Sequence, residues 1–140
     1  MPISIETVID GLNEDLAEEY KHIHFYLNAA LRVAGPQRAT MRDLLIKLTH
    51  EAVLHTQRIG DLVRLMGGTP TAKCNGFLAN ISDSVSVIDY AAKMENTVLK
   101  NMHERRKQCV ELGNELGTTA EAVIMSHIAH VSETVASLQM

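Results

Sequence analysis

The 140-residue sequence has no tryptophan and only two phenylalanines and three tyrosines, a shortage that counts against a β-sandwich. Its two cysteines, Cys74 and Cys109, form no CxxC or other ligand spacing, and lone thiols of this kind stay free in a reducing compartment. No run of eighteen apolar residues occurs, and the start Met1-Pro2-Ile3-Ser4-Ile5-Glu6 lacks the basic and apolar stretches of a signal peptide. A soluble, cytoplasmic protein with no membrane partner is therefore expected. Positive charge is also lacking: the net charge is −4, which argues against a nucleic-acid partner, and the one basic cluster, Arg105-Arg106-Lys107, reads as a solvated helix surface. What is abundant is Leu, Ala, Met, Glu and Lys, all good helix formers. With 46% hydrophobic and 21% charged residues, residues 1–140 make one globular domain that needs neither disulfide nor structural metal to hold together. A bound metal would then serve function.

Apolar residues at 5, 8, 9, 12, 16, 20, 23, 27, 30, 31 and 34 keep a 3.6-residue period, with Ser4 as a suitable N-cap and Gly35-Pro36 as a stop. The period resumes from Met41 through Leu48, Ala52 and Ile59 to Met66 and ends at Gly67-Gly68-Thr69-Pro70. A third stripe runs from Val87 to Val110, and Thr118 with Glu121 reads as a capping box opening a fourth, from Ala120 to Leu138. The pattern predicts helices over about 4–34, 38–66, 84–112 and 119–139. The first connection is short enough to make an antiparallel hairpin. The second, of about 16 residues at ~3.3 Å each, reaches roughly 50 Å, enough to run past a second helix about 43 Å long. The expected fold is an all-α four-helix bundle of two antiparallel hairpins joined by a long crossover.

Ionisable residues interrupt each stripe, and burying them without partners costs several kcal/mol each. Glu19 sits mid-stripe on the first helix, His55 on the second with Glu51 one turn before it, Glu95 on the third, and His127 and His130 on the fourth as an i, i+3 pair. Counting from the first turn, Glu19 is level with a residue near 52, which Glu51 and His55 bracket. Inward carboxylates and imidazoles contributed by all four helices suit a divalent Fe, Mn or Zn ion. A purely hydrogen-bonded network is the alternative.

These residues resemble those of the ferritin-like superfamily, nearest to bacterioferritin, over all four helices. The resemblance implies a long crossover and a di-iron site built from a Glu, a Glu-x-x-His, a Glu and a Glu-x-x-His on successive helices. Glu19, His55, Glu95 and His130 match that pattern, Tyr26 matches an inward tyrosine, and Leu65-Met66-Gly67-Gly68-Thr69-Pro70 is similar to the family's second-helix end. Both carboxylates that bridge the two irons are replaced: Ala52 and His127 stand where the family has Glu. Glu51, displaced by one residue, is one candidate substitute; a single metal held by some of Glu19, His55, Glu95, His127 and His130 is the other. Val53 falls where a haem-ligating Met would stand, so no haem is expected, and ending at Met140 leaves no fifth helix of the kind that helps close a storage cage. His22 is expected at the stripe's edge, facing solvent or a neighbour, and His24, His50 and His103 at the surface.

The resemblance implies an iron-dependent oxidoreductase or ferroxidase using O2 or peroxide, with Glu19, Glu51, His55, Glu95, His127 and His130 as ligands and Tyr26 as a donor or redox neighbour beyond them. One Zn or Mn ion without redox turnover, or a metal-free assembly module, are the alternatives. A homo-oligomer, dimer or larger, is expected.

Overall fold

The computed structural model describes residues 3–139, which form α1 (Ile5–Arg32), α2 (Arg38–Leu65), α3 (Ser84–Leu112) and α4 (Glu115–Leu138). There is no strand among the described residues, as the periodicity requires. Helix starts follow local capping chemistry: Ser4 accepts from the Thr7 amide, Asp83 from Ser86 and Asn114 from Gly117. The last of these corrects the expected start of the fourth helix, which opens at Glu115 and not near 119. Gly117 is the reason. Read from sequence it is a breaker, but in the bundle it is a helical contact point, where an added Cβ would sit 2.5 Å from the Cys109 carbonyl oxygen. Between the two helices Gly113, at φ 66°, takes the left-handed conformation that ends α3.

α1 packs most extensively on α2 and α3 on α4, while α1 also meets α3 and α2 meets α4. The segment between α2 and α3 climbs along α1. Asn13 is bonded to both Thr69 and Thr71, the Asn75 amide donates to the Ala17 carbonyl, and its side chain donates to Glu18 at 2.7 Å. Phe77 then packs edge-on against Phe25, and the Leu78 amide donates to the Tyr90 hydroxyl on α3. The crossover is thus the long one that its length allowed.

The buried apolar side chains fall into two groups. One includes Leu12, Leu16, Ile59, Val98, Met102 and Ile124; the other includes Phe25, Tyr26, Leu45, Ala52, Ala91 and Met94. On α1, α2 and α3 the seam between these groups is where Glu19, His22, His55 and Glu95 fall. No helix among the described residues is long and apolar enough to cross a membrane.

Candidate metal centre

Glu19 from α1, His55 from α2 and His127 from α4 are buried, and one ligand-capable atom of each lies within 4.8 Å of the others. Glu19 Oε1 is 3.4 Å from His127 Nε2, and Glu19 Oε2 is 3.8 Å from His55 Nδ1. The two imidazoles lie nearly face to face, their centroids 4.3 Å apart and their planes 31° apart. Neither Glu19 Oε2 nor His127 Nε2 has a hydrogen-bond partner. A buried carboxylate oxygen and a buried imidazole nitrogen left without partners each carry a desolvation cost of order 1–3 kcal/mol, more for a charged group, unless something binds them. Burial pushes His55 down to about 4, with His127 and His130 adding to the effect and Glu19 opposing it. His55 is therefore a neutral imidazole with a lone pair to give near pH 7. Two imidazoles and one carboxylate converge here with Glu19 Oε2 and His127 Nε2 unsatisfied, and such a donor set fits a divalent metal ion.

Glu95 is buried too, but its partners lie elsewhere. The Tyr26 hydroxyl donates to Glu95 Oε1 at 2.5 Å, and His22 Nδ1 is 3.4 Å from the same oxygen. Burial works against the charge on Glu95, yet His22 and Tyr26 outweigh it and hold the carboxyl below its ordinary range. Burial likewise disfavours the charged form of His22, but Glu95, Glu19 and Glu18 together raise it above an ordinary histidine. Tyr26 is raised well above its usual value, first by burial and then by the Glu95 and Glu19 carboxylates, so the phenol keeps its proton. His22, expected to face solvent or a neighbour, is 1% exposed. It sits three residues after Glu19 and four before Tyr26, so helical geometry puts it on their face, within reach of Glu95.

His130 is half-buried, with Nδ1 2.7 Å from His55 Nε2 and Nε2 4.0 Å from Glu51 Oε1. The structure thus brings Glu19, His55 and His127 together, places His130 and Glu51 behind His55, and engages Glu95 with Tyr26 and His22. Ala52, at the position of a bridging carboxylate in the resemblance, is packed in the apolar core. His24, His50 and His103 are exposed.

One turn before Glu19 lies a pair that the sequence reading missed. Arg105 donates from Nε to Asp15 Oδ2 at 2.7 Å, from Nη2 to Asp15 Oδ1 at 3.1 Å, and from Nη1 to Gln108 at 2.7 Å. Arg105 is 7% exposed, which corrects its expected place on a solvated surface; Arg106 beside it remains partly exposed against Glu121. Burial pushes Asp15 up to about 6 against the opposing pull of Arg105, and Glu19 adds to the rise. Gly11 makes room for the guanidinium, since a Cβ there would lie 2.0 Å from Arg105 Nη1. A signal was present: Val8, Leu12, Asp15, Glu19, His22 and Tyr26 follow one 3-4 spacing along α1.

The family model described as a ferritin-like domain matches residues 9–135. Among solved structures, a ferritin-like diiron-carboxylate protein from Bacillus anthracis str. Ames superposes with a TM-score of 0.91 at 25% identity, covering 99% of this chain and 97% of that one. The dodecameric thioferritin of Bacteroides fragilis gives 0.83 at 23% identity, covering 99% and 85%. Bacterioferritin of Rhodobacter capsulatus gives 0.84 at 20% identity, covering 99% and 84%. No curated protein matches the chain in sequence.

Proposed function

From the premise that the chain belongs to the ferritin-like domain family, we propose that it is an iron-binding oxidoreductase that takes up Fe(II) at Glu19, His55 and His127 and passes its electron to O2 or peroxide. The observation that carries this reading is the pair of orphaned buried atoms, Glu19 Oε2 and His127 Nε2, within one cluster of donors. Three protein donors leave coordination positions for a small oxidant, and a carboxylate with two imidazoles suits Fe(II). One ion per chain is the better fit. Bridging carboxylates neutralise and space two cations in a dinuclear centre, whereas here Ala52 and His127 supply no such charge and Glu95 is engaged by Tyr26 and His22.

The chain's own groups have separable parts in this scheme. Glu19 supplies the negative charge, and His55 supplies a neutral imidazole because burial holds it unprotonated. Leu16 and Ile59, one turn from Glu19 and His55 along their own helices, are buried apolar residues, and the hydroxyl of Tyr26 stays protonated on Glu95. We further propose a cytoplasmic homo-oligomer, dimer or larger, in line with the dodecameric assembly named for the Bacteroides relative.

The same donor set also suits one Zn or Mn ion without redox turnover, and this is the second reading. Element-resolved metal content of protein purified without a metal-affinity tag, together with anaerobic Fe(II) titration, decides between them. We expect one Fe(II) bound per chain, lost in Glu19→Gln, and oxidation in air faster than in a protein-free control. One tightly held zinc or manganese with no acceleration of Fe(II) oxidation would favour the second reading. Binding that Glu19→Gln leaves intact would overturn the three-residue site itself.

A further inference from the structure

The structure assigns Asn75-Gly76, in the segment between α2 and α3, as a site of spontaneous modification: deamidation of Asn75 by water turns a bond that ties this segment to α1 into a repulsive contact. The inference does not depend on a bound metal. Asn75-Gly76 is the only Asn-Gly pair in the sequence, and every other asparagine is followed by a residue with a side chain. Asparagine is thermolabile because the backbone nitrogen of the next residue can attack its side-chain amide, and a following glycine, without a Cβ, leaves the way open for that attack.

The fold leaves the attacking nitrogen free. Gly76 is exposed, and its N–H has no backbone acceptor among the described residues. Neither conformation nor packing calls for glycine here: its φ is not positive, and a Cβ built on it would meet nothing within 4 Å. Asn75 is held instead. Its Nδ2 donates to Glu18 Oε1 at 2.7 Å, its backbone N–H donates to the Ala17 carbonyl at 3.2 Å, and Lys21 Nζ stands 3.7 Å from the other Glu18 oxygen. The side-chain amide is tethered while these bonds last, so attack waits for the moments when the segment opens.

In the reaction the Gly76 nitrogen bonds to Asn75 Cγ and gives up its proton, the Cγ–Nδ2 bond breaks, and Nδ2 leaves as ammonia carrying that proton. Water then adds to one carbonyl of the cyclic imide and reopens it, restoring the Gly76 N–H and leaving aspartate or its β-linked isomer at 75. No oxidant or reductant takes part. The new carboxylate has no hydrogen to give, so two negative charges face each other where a donor met Glu18 Oε1. The segment loses its hold on α1 beside a cavity of about 400 Å³ whose walls include Glu14, Glu18, Lys73 and Asn101. Asn13 keeps its bonds to Thr69 and Thr71, which confines the loosening to the stretch that follows.

The test follows the full chain through incubation at mildly alkaline pH, with the tryptic peptide of residues 74–93 read by mass spectrometry and released ammonia assayed alongside. We expect conversion at Asn75 and at no other asparagine. Gly76→Ala, which the open space admits, should slow it many-fold. Glu18→Ala should speed it by about 10-fold or more, the factor by which a hydrogen bond to a charged group holds the closed form. Asn75→Asp supplies the product directly, and should lower the hydrogen-exchange protection of the amide at 75 and hasten tryptic cleavage after Lys73. Glu18→Gln in that background should restore both, because its amide can donate to the new carboxylate. A wild-type chain that keeps Asn75 while a peptide of the same sequence converts would overturn the site, and a rate untouched by Glu18→Ala would overturn the tether. Protection in Asn75→Asp equal to that of the wild type, or a loss that Glu18→Gln does not repair, would overturn the repulsive contact.

Discussion

One turn of α1 separates Asp15 from Glu19, two carboxylates exposed by only 3% and 1%. Asp15 has both oxygens on one guanidinium, whose remaining nitrogen reaches Gln108. Glu19 has imidazoles at 3.4 and 3.8 Å and no hydrogen bond to either. The bundle therefore can build a matched partner for a buried carboxylate, down to clearing space at Gly11 for the arginine. The open valences at Glu19 Oε2 and His127 Nε2, with those at Glu18 Oε2 and His22 Nε2, contrast with the satisfied carboxylate of Asp15 one turn away. One cluster is complete as a set of side chains; the other leaves donor atoms open.

The largest effect expected from this contrast is on the stability of the metal-free protein. Arg105→Leu leaves Asp15 buried without its cation and should cost about 3–5 kcal/mol in urea denaturation. Glu19→Gln keeps the shape and removes an unpaired charge, so it should cost less than about 1 kcal/mol or stabilise. Equal losses in the two variants would mean that Glu19 is already partnered, and the contrast would fail.

Acid titration sharpens it next. Asp15, at about 6 when folded and about 3.8 when unfolded, binds its proton more readily in the folded chain, so its contribution to stability rises as pH falls from 6 to 4. His55, at about 4 when folded against 6.5 unfolded, does the opposite: its contribution is full above pH 6.5 and is lost as pH falls toward 4. Each amounts to about 3 kcal/mol at about 1.4 kcal/mol per pKa unit, with opposite sign. Replacing the pair, as in Asp15→Leu with Arg105→Met, should uncover the His55 slope, seen as a steeper loss of stability between pH 6.5 and 4 than in the wild type. A slope unchanged by that double replacement would show that Asp15 does not take up its proton in this window.

The smallest effect concerns the space kept for Arg105. Gly11→Ala gains about 1 kcal/mol of helix propensity and displaces the guanidinium, an overpacking cost of about 1–3 kcal/mol. Thermal denaturation should find a net loss of about 1 kcal/mol, and one that disappears when Arg105 is already Leu. A loss that persists in the Arg105→Leu background would place the strain elsewhere on α1.

The four helices and the long crossover were legible in the sequence because amphipathic period, capping residues and connection length are properties of local chain segments. The same locality misled at Gly117, where the contact with the Cys109 carbonyl that makes the glycine useful comes from another helix. Inward placement of Glu19, His55, Glu95 and His127 was also legible, since each interrupts an apolar stripe. That Glu19 and His55 share a level was legible too; which other groups they meet was not. His22 with Tyr26 engages Glu95, Arg105 reaches back ninety residues to Asp15, and His127 rather than His130 turns to Glu19. Periodicity fixes the face a residue occupies on its own helix. The height and rotation of one helix against another, and hence which buried charge finds a partner and which stays open to a ligand, are settled only when the four pack together.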